Sequence, residues 1–264
     1  MKEKIKYMIV VQVAIILSAI FTSFSAMPID WFPLVWFTFI PILYILEKTK
    51  TSKRAMFLGF EMGLLINMHS FYWLKGTISV FGGLHWSIAV FLYILLSAVQ
   101  SIKYGIFFYL YHKFKLINKN FFIFPILFTV LEYFIPMLFN WTIGNTQYLF
   151  LPFIQITDIF GISFLTFVIA TFNFTLYKIW YKYRKEGVLT LRPLSYLIIF
   201  MSIILVYGLV QIHRYDNIMA KSDHIKIGVV QANIPITEHT DPRKYKKNLE
   251  KFQIESLKIG RAHV

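Results

Sequence analysis

Long apolar stretches alternate with short polar connections over the first 212 residues of the chain. Each stretch approaches the ~20 residues that a helix needs to cross ~30 Å of hydrocarbon. The pattern predicts a polytopic α-helical membrane protein with seven transmembrane helices, the second short and the fourth long. The predicted helices are Tyr7 to Phe24, Trp31 to Leu46, Ala55 to Leu74, Leu84 to Tyr111, Phe121 to Phe139, Phe153 to Tyr177 and Pro193 to Ile212.

The polar pattern changes after Ile212, where the predicted transmembrane domain, residues 1–212, ends. Residues 213–223 carry frequent charges and form a predicted linker. The stretch from His224 to Gln231 has an apolar centre with β-branched residues, which is typical of a β-strand. A different kind of domain is therefore expected to begin after the linker.

A helix is predicted to follow this strand. Asp241 can cap free backbone amides, and Pro242 suits the first position of a helix. Tyr245, Leu249 and Phe252 are spaced by four and three residues, which gives the helix an apolar face. One strand and one helix cannot bury a core, so we interpret residues 224–257 as the opening of a larger α/β domain.

The final residues, 258–264, are interpreted as a tail that does not belong to the natural chain. On this interpretation the authentic sequence ends near Leu257 here and continues further in the natural protein. The alternative is an ordinary short tail.

Composition supports a membrane protein, since 57% of the residues are apolar and only 15% are charged. Soluble domains carry about 25% charged residues, and disordered chains have low hydrophobicity. The chain has no cysteine, which excludes disulfides, thiolate metal ligands and a cysteine nucleophile within these residues. Histidine and carboxylate spacing shows no ligand cluster, so neither a metal nor a cofactor is predicted.

The formal net charge of +14 has a topological explanation. If the amino terminus is cytoplasmic, nearly all lysines and arginines before the last span fall on the cytoplasmic side, as the positive-inside rule describes, and only Lys75 falls outside. Everything after Ile212 is then extracytoplasmic. Nucleic acid is not an expected partner. The inside set comprises Lys2, Lys4, Lys6, Lys48, Lys50, Lys53, Arg54, Lys113, Lys115, Lys119, Lys178, Lys182, Arg184, Lys185 and Arg192.

Short motifs occur in a fixed order along the chain. They are Met27-Pro28, residues 31–37, 57–60, 71–74 and 80–83, Leu131-Glu132, residues 139–141 and 144–148, residues 158–161, and residues 228–235. Their order and spacing, rather than any single motif, resemble those of one bacterial enzyme family, the apolipoprotein N-acyltransferases. The resemblance extends to about residue 257.

The resemblance implies a fold of eight transmembrane helices with a nitrilase-like α/β domain between the last two. It implies an acyltransferase of the bacterial inner membrane whose α/β domain lies on the periplasmic side. The implied reaction moves an acyl chain from a phospholipid donor to the terminal amino group of a diacylated apolipoprotein. The family's Glu-Lys-Cys triad is expected downstream of Val264, so these residues alone are expected to be inactive.

One departure from the family concerns Thr240, which stands where a tryptophan is common after the Asn-Ile-Pro word. That tryptophan is implicated in the family's activity. The departure bears on details of substrate handling.

Candidate lipid-binding residues collect near the predicted outer boundary. Helix rise places Glu132 and His69 in the outer half of the bilayer, with Trp73 one turn above His69. Together with Phe139 and Trp141, they are predicted to line a cleft for the phospholipid. The alternatives are that Glu132 and His69 satisfy interhelical hydrogen bonds and that the tryptophans form an interfacial belt.

Two further charges, Glu61 and Lys103, lie at similar predicted depths in consecutive antiparallel helices, so they are predicted to form a structural ion pair. The alternative is that Lys103 extends to the inner headgroups and that Glu61 is protonated or hydrogen-bonded elsewhere.

A rival function is a transporter or channel in which Glu61, His69, Lys103 and Glu132 line the path. Matching halves with interrupted helices would favour that function, and the sequence shows no such repeat.

Overall fold

A computed structural model describes residues 2–115, 121–135, 137–139, 141–223, 225, 227–239 and 241–261. Thr240, which the sequence analysis singled out, and the last three residues of the predicted tail lie outside the described residues. The α-helices are α1 Lys2–Phe24, α2 Phe39–Lys48, α3 Ser52–Ser70, α4 Leu74–Gly82, α5 Trp86–Lys113, α6 Ile123–Phe134, α7 Leu151–Ile154, α8 Thr157–Phe160, α9 Ile162–Glu186, α10 Arg192–Lys221, α11 Ile236–His239 and α12 Tyr245–Arg261.

The chain divides into two compact units, residues 1–215 and 216–264. Among the described residues, four helices are long and apolar enough to cross a membrane: α1, α5, α9 and α10. The first three lie in the first unit, and α10 begins there. They confirm helices that hydropathy predicts at the first, fourth, sixth and seventh stretches. The protein is therefore a multi-pass membrane protein, while the total of seven crossings remains a prediction.

Two of the predicted spans are interrupted. The second consists of a 3₁₀ turn, Phe32–Phe37, followed by the ten residues of α2. Among the described residues of the fifth, the twelve of α6 are the helical ones. Its C-cap residue Ile135 is extended and precedes a proline in the sequence, and residues before proline avoid the helical region.

The start of the sixth predicted span is also broken. Two single turns, α7 and α8, precede Gly161, whose φ of 72° lies in the left-handed region that favours glycine. The long helix α9 begins directly after this glycine. The continuous helix of this span therefore starts nine residues later than Phe153, where the apolar stretch begins.

Helices α3 and α5 pack closely because a glycine faces the neighbouring backbone. A Cβ atom added at Gly59 would lie 2.6 Å from the carbonyl oxygen of Tyr104. Small residues at such seams let membrane helices approach one another. Rings from α2, α5, α6 and α9 fill the adjoining core, including Phe39, Phe107, Phe124, Phe128 and Phe174.

The prediction of a strand from His224 to Gln231 is wrong for the described residues in that range, which form no strand. A β-ladder needs a partner strand, and none of the described segments pairs with this one. The helix start is confirmed, since Asp241 accepts a hydrogen bond from the Arg243 amide at 3.0 Å. A 3₁₀ turn, Pro242–Lys244, then leads into α12.

Candidate functional site

A buried ion pair joins α5 to α6. On α6, Phe124, Phe128 and Glu132 recur every four residues, which places the carboxylate on the stripe that faces the core. Lys103 of α5 lies opposite, with its Nζ 3.7 Å from Glu132 Oε1. The two side chains are only 3% and 2% exposed. Helix packing therefore places both charges in the protein interior.

The Glu132 carboxylate also binds two other segments. Its Oε1 accepts a hydrogen bond from the Ile143 amide at 3.1 Å, and its Oε2 accepts one from the Thr166 hydroxyl at 2.7 Å. The Thr166 oxygen in turn accepts a bond from the Gly144 amide at 3.1 Å. One buried carboxylate thus holds together α6, the 3₁₀ turn Ile143–Gln147 and α9.

The predicted pairing of Glu61 with Lys103 is wrong, because Lys103 contacts Glu132 instead. The buried face of α3 carries Gly59, Met62 and Gly63, so half-buried Glu61 lies beside the face that packs on α5. Within the described part of the chain, Glu61 forms no ion pair. Similar depth in two neighbouring helices does not make two charges partners unless both lie on the shared face.

Several polar side-chain atoms near the Lys103–Glu132 pair have no hydrogen-bond partner among the described residues. Among the described residues, the Lys103 ammonium has no hydrogen-bond acceptor, and both amide atoms of Gln100 are unpaired. Gln100 lies one helical turn before Lys103 and is 4% exposed. Buried polar groups without partners are costly. The interior next to Glu132 is therefore polar beyond what the ion pair itself requires.

A separate aromatic group forms beyond the end of α6. Phe139 stacks on Phe71 with ring centroids 5.3 Å apart and contacts Trp73 at 5.7 Å. The Trp141 amide donates a hydrogen bond to the Phe139 carbonyl at 2.7 Å, while the Trp141 side chain packs against the main core. Trp73 is 45% exposed, whereas Phe139 and Trp141 are half-buried. The group thus offers a partly open apolar surface.

Among the described residues, the His69 ring contacts neither the Lys103–Glu132 pair nor the aromatic group. Its exposed side chain packs against Phe24, with ring centroids 5.0 Å apart. The structure therefore divides the five predicted cleft residues among four locations, since the Trp141 ring packs against the main core. Of these, only the contact between Phe139 and Trp73 forms a partly exposed aromatic surface.

Sequence reasoning missed Thr166, Phe71 and Gln100. In the sequence, Phe71 stood out only as part of the motif at residues 71–74 that resembles the family. Thr166 lies within an apolar stretch, where no neighbouring residue marks it as functional. Gln100 carried a usable signal, because an amide side chain one turn from an intramembrane lysine is unusual.

Comparison with known proteins agrees with this architecture. The apolipoprotein N-acyltransferase N-terminal domain matches residues 18–175, which is more than half of the chain. That range contains α2 to α8, the last seven residues of α1 and the first half of α9, together with Lys103, Glu132 and the aromatic group.

Named relatives share this similarity. The apolipoprotein N-acyltransferase of Geobacter metallireducens is 29% identical over 217 residues, which cover 80% of this chain and 41% of the relative. The Haemophilus influenzae protein of the same name is 27% identical over 246 residues, covering 90% of this chain and 45% of the relative. This chain spans less than half the length of these relatives. With its family domain matched over residues 18–175, the chain belongs to the apolipoprotein N-acyltransferase family.

Proposed function

We propose that the chain forms the membrane part of an apolipoprotein N-acyltransferase. The proposed reaction transfers an acyl chain from a phospholipid to the amino group of a diacylated lipoprotein. The observation that carries the proposal is the family match over residues 18–175. The 264 residues contain no cysteine, so their proposed contribution is to bind and orient substrates rather than to supply the thiol nucleophile.

The geometry supports two different roles for the candidate residues. Trp73, Phe139 and Trp141 are proposed to contact the acyl chains, because the rings of Trp73 and Phe139 form a partly exposed apolar surface and the Trp141 backbone is bonded to Phe139. Glu132 is proposed as a positioning residue, since its carboxylate binds the Ile143 amide two residues after Trp141. The ion pair with Lys103 would then fix the segment that carries the aromatic group.

The proposed location is the bacterial inner membrane, with the amino terminus in the cytoplasm and residues after Ile212 on the periplasmic side. The asymmetric placement of lysine and arginine supports this orientation. Reporter fusions after Lys119 and Lys185 should report the cytoplasm, and fusions after Gly83 and Ser222 the periplasm. A periplasmic signal at Lys185 would overturn the orientation.

A transporter is the less favoured function. A translocation path through Glu61, His69, Lys103 and Glu132 would need these groups to line one channel. In the described residues, Lys103 and Glu132 are buried against each other, while the exposed His69 ring packs on Phe24. The family match also favours the acyltransferase.

A chimera tests the proposed function. Residues 1–221 of this chain are joined to the remaining part of the Geobacter metallireducens relative and expressed in a strain depleted of its own enzyme. Mass spectrometry of membrane lipoproteins should then show a third acyl chain. The proposal would be contradicted by a chimera that accumulates in the membrane to the level of the intact Geobacter metallireducens relative, yet leaves the lipoproteins diacylated.

A further inference from the structure

A polar cavity of about 420 Å³ lies at the lysine-rich end of the helices, where the C-terminal residues of α2, α5 and α9 meet. Three of its lining residues are lysines from three separate segments: Lys50 after α2, Lys115 after α5 and Lys185 near the end of α9. All three side chains are exposed, and none forms an ion pair within the described residues, although Lys185 donates a hydrogen bond to the Tyr181 hydroxyl at 3.3 Å. The cavity is therefore surrounded by available positive charge.

The acidic member of the lining is Glu47. Its Oε2 already accepts a hydrogen bond from the Tyr177 hydroxyl at 2.8 Å. Even if this carboxylate is fully charged, the three lysines leave the cavity with a net positive charge. An anion would be attracted to this site.

A buried, unpaired hydroxyl also lines the cavity. Tyr111 is 2% exposed, and its hydroxyl has no hydrogen-bond partner among the described residues. A buried hydroxyl left without a partner is costly, and buried polar atoms are nearly always paired. The unpaired Tyr111 hydroxyl therefore points to a hydrogen-bond acceptor that binds in this cavity.

The cavity walls are held in place by His112. One ring nitrogen lies 2.8 Å from the Thr49 carbonyl oxygen, and the other lies 3.0 Å from the Ser52 hydroxyl. These bonds fix the end of α5 against the connection between α2 and α3. Lys50 lies within that connection and lines the same cavity as Tyr111.

Two neighbouring cavities extend the basic region. One of about 340 Å³ shares Glu47, Tyr181 and Lys185 with the first, and another of about 570 Å³ shares Thr49 and Lys50. They add Lys48, Arg54 and Arg184 to the set of lining cations. Positive charge near the membrane surface is expected from topology alone. Lysines at helix C-termini also interact favourably with the helix dipole. Neither explanation accounts for the buried hydroxyl.

We infer that this cavity binds the phosphate of an anionic phospholipid headgroup from the lysine-rich leaflet. Lys50, Lys115 and Lys185 would neutralise the phosphate, and the Tyr111 hydroxyl would donate a hydrogen bond to one of its oxygens. Basic pockets between transmembrane helices are suited to such headgroups. The site is distinct from the proposed substrate cleft, because it lies at the opposite end of α5 from the aromatic group.

Native mass spectrometry of the delipidated full chain tests this inference. Phosphatidylglycerol or cardiolipin is added back, and phosphatidylethanolamine serves as the zwitterionic comparison. The wild type should retain one anionic lipid. Combined changes Lys50→Gln, Lys115→Gln and Lys185→Gln should weaken that binding at least about tenfold. The matched control combines Lys53→Gln, Lys113→Gln and Lys182→Gln, which remove equal charge outside the cavity lining.

Tyr111→Phe provides a second test that does not alter charge. It should weaken retention of the anionic lipid several-fold, while the melting temperature of the lipid-free protein stays unchanged or rises, because the hydroxyl has no protein partner to lose. Equal loss in the cavity variant and its matched control would overturn the inference, as would full retention by the cavity variant. Displacement of the lipid by equimolar inorganic phosphate would show that the site takes a soluble anion instead.

Discussion

Two ion pairs show how burial changes the importance of a charge. Lys103 and Glu132 in the first unit are 3.7 Å apart and 3% and 2% exposed. Lys244 and Glu238 in the second unit are closer, at 3.0 Å, but 41% and 29% exposed. Water screens the second pair, whereas removal of one partner of the first leaves an uncompensated charge in the interior. Environment therefore matters more than distance.

The apolar residues of the two units differ in the same way. Phe128 on α6 is 2% exposed and lies among the rings of the main core. Tyr245, Leu249 and Phe252 form the predicted apolar face of α12, yet their exposures are 57%, 59% and 41%. A helical pattern predicts which face is apolar, but burial of that face depends on what packs against it.

The largest expected effect is the loss of Glu132. Glu132→Ala should destabilise the protein by about 3–5 kcal/mol, because Lys103 is left as an unpaired buried charge. Glu132→Gln should cost less, since the amide oxygen can still accept the bond from the Ile143 amide and the amide nitrogen can donate to the Thr166 hydroxyl oxygen. Thermal unfolding in detergent measures both variants.

A double-mutant cycle sharpens this comparison. Lys103→Met combined with Glu132→Gln should recover part of the loss caused by either change alone. Glu61→Gln is the matched control, because Glu61 is half-buried and makes no ion pair among the described residues. Additive losses for Lys103 and Glu132 would show that the pair is energetically uncoupled.

The next effect concerns the close contact between α3 and α5. Gly59→Val should cost about 1–3 kcal/mol, because the new side chain would displace the backbone of Tyr104. Gly76→Ala is the control, since an added Cβ there meets nothing within 4 Å. Equal decreases in the melting temperatures of the two variants would contradict the packing role of Gly59.

A smaller effect is expected at the aromatic group. In the chimera, Trp73→Ala should lower the rate of lipoprotein N-acylation about two- to tenfold, in line with the energy of one aromatic pair. Its stability should change little, because Trp73 is 45% exposed. Trp86→Ala is the control, since Trp86 is 52% exposed and outside the group. An equal fall in rate for both variants would argue against a specific lipid contact.

The smallest effect should appear on acidification. The Lys244 ammonium holds the pKa of the Glu238 carboxyl below its usual range, and Arg243 does the same for Asp241. Carboxyls with lowered pKa values stabilise the fold above their unfolded pKa, about 4, and the contribution disappears as pH falls through the lowered values. Amide hydrogen exchange near Asp241 should accelerate below about pH 4 after correction for intrinsic rates. Asp241→Asn should remove most of this dependence, and unchanged protection down to about pH 2 would contradict it.

Local patterns predicted a substantial part of the fold. Hydropathy identified α5 to within two residues at each end, because Trp86–Lys113 is one uninterrupted apolar helix. The capping role of Asp241 was also predictable, since it depends only on the next few residues. The interruptions before α2 and after α6 were not, because hydropathy averages over a window in which a 3₁₀ turn and a helix look alike.

The sequence alone determined which residues are candidates for the interior and which chemistry they could supply. Three features are visible without coordinates: the charged residues within apolar stretches, the motifs rich in aromatic residues and the family resemblance. Tertiary structure decided the partners. Lys103 pairs with Glu132 rather than Glu61 because α5 presents that side chain to α6, while the neighbouring Tyr104 faces the glycine seam of α3. Successive helical residues point about 100° apart, so a partner depends on how whole helices pack rather than on depth along one of them.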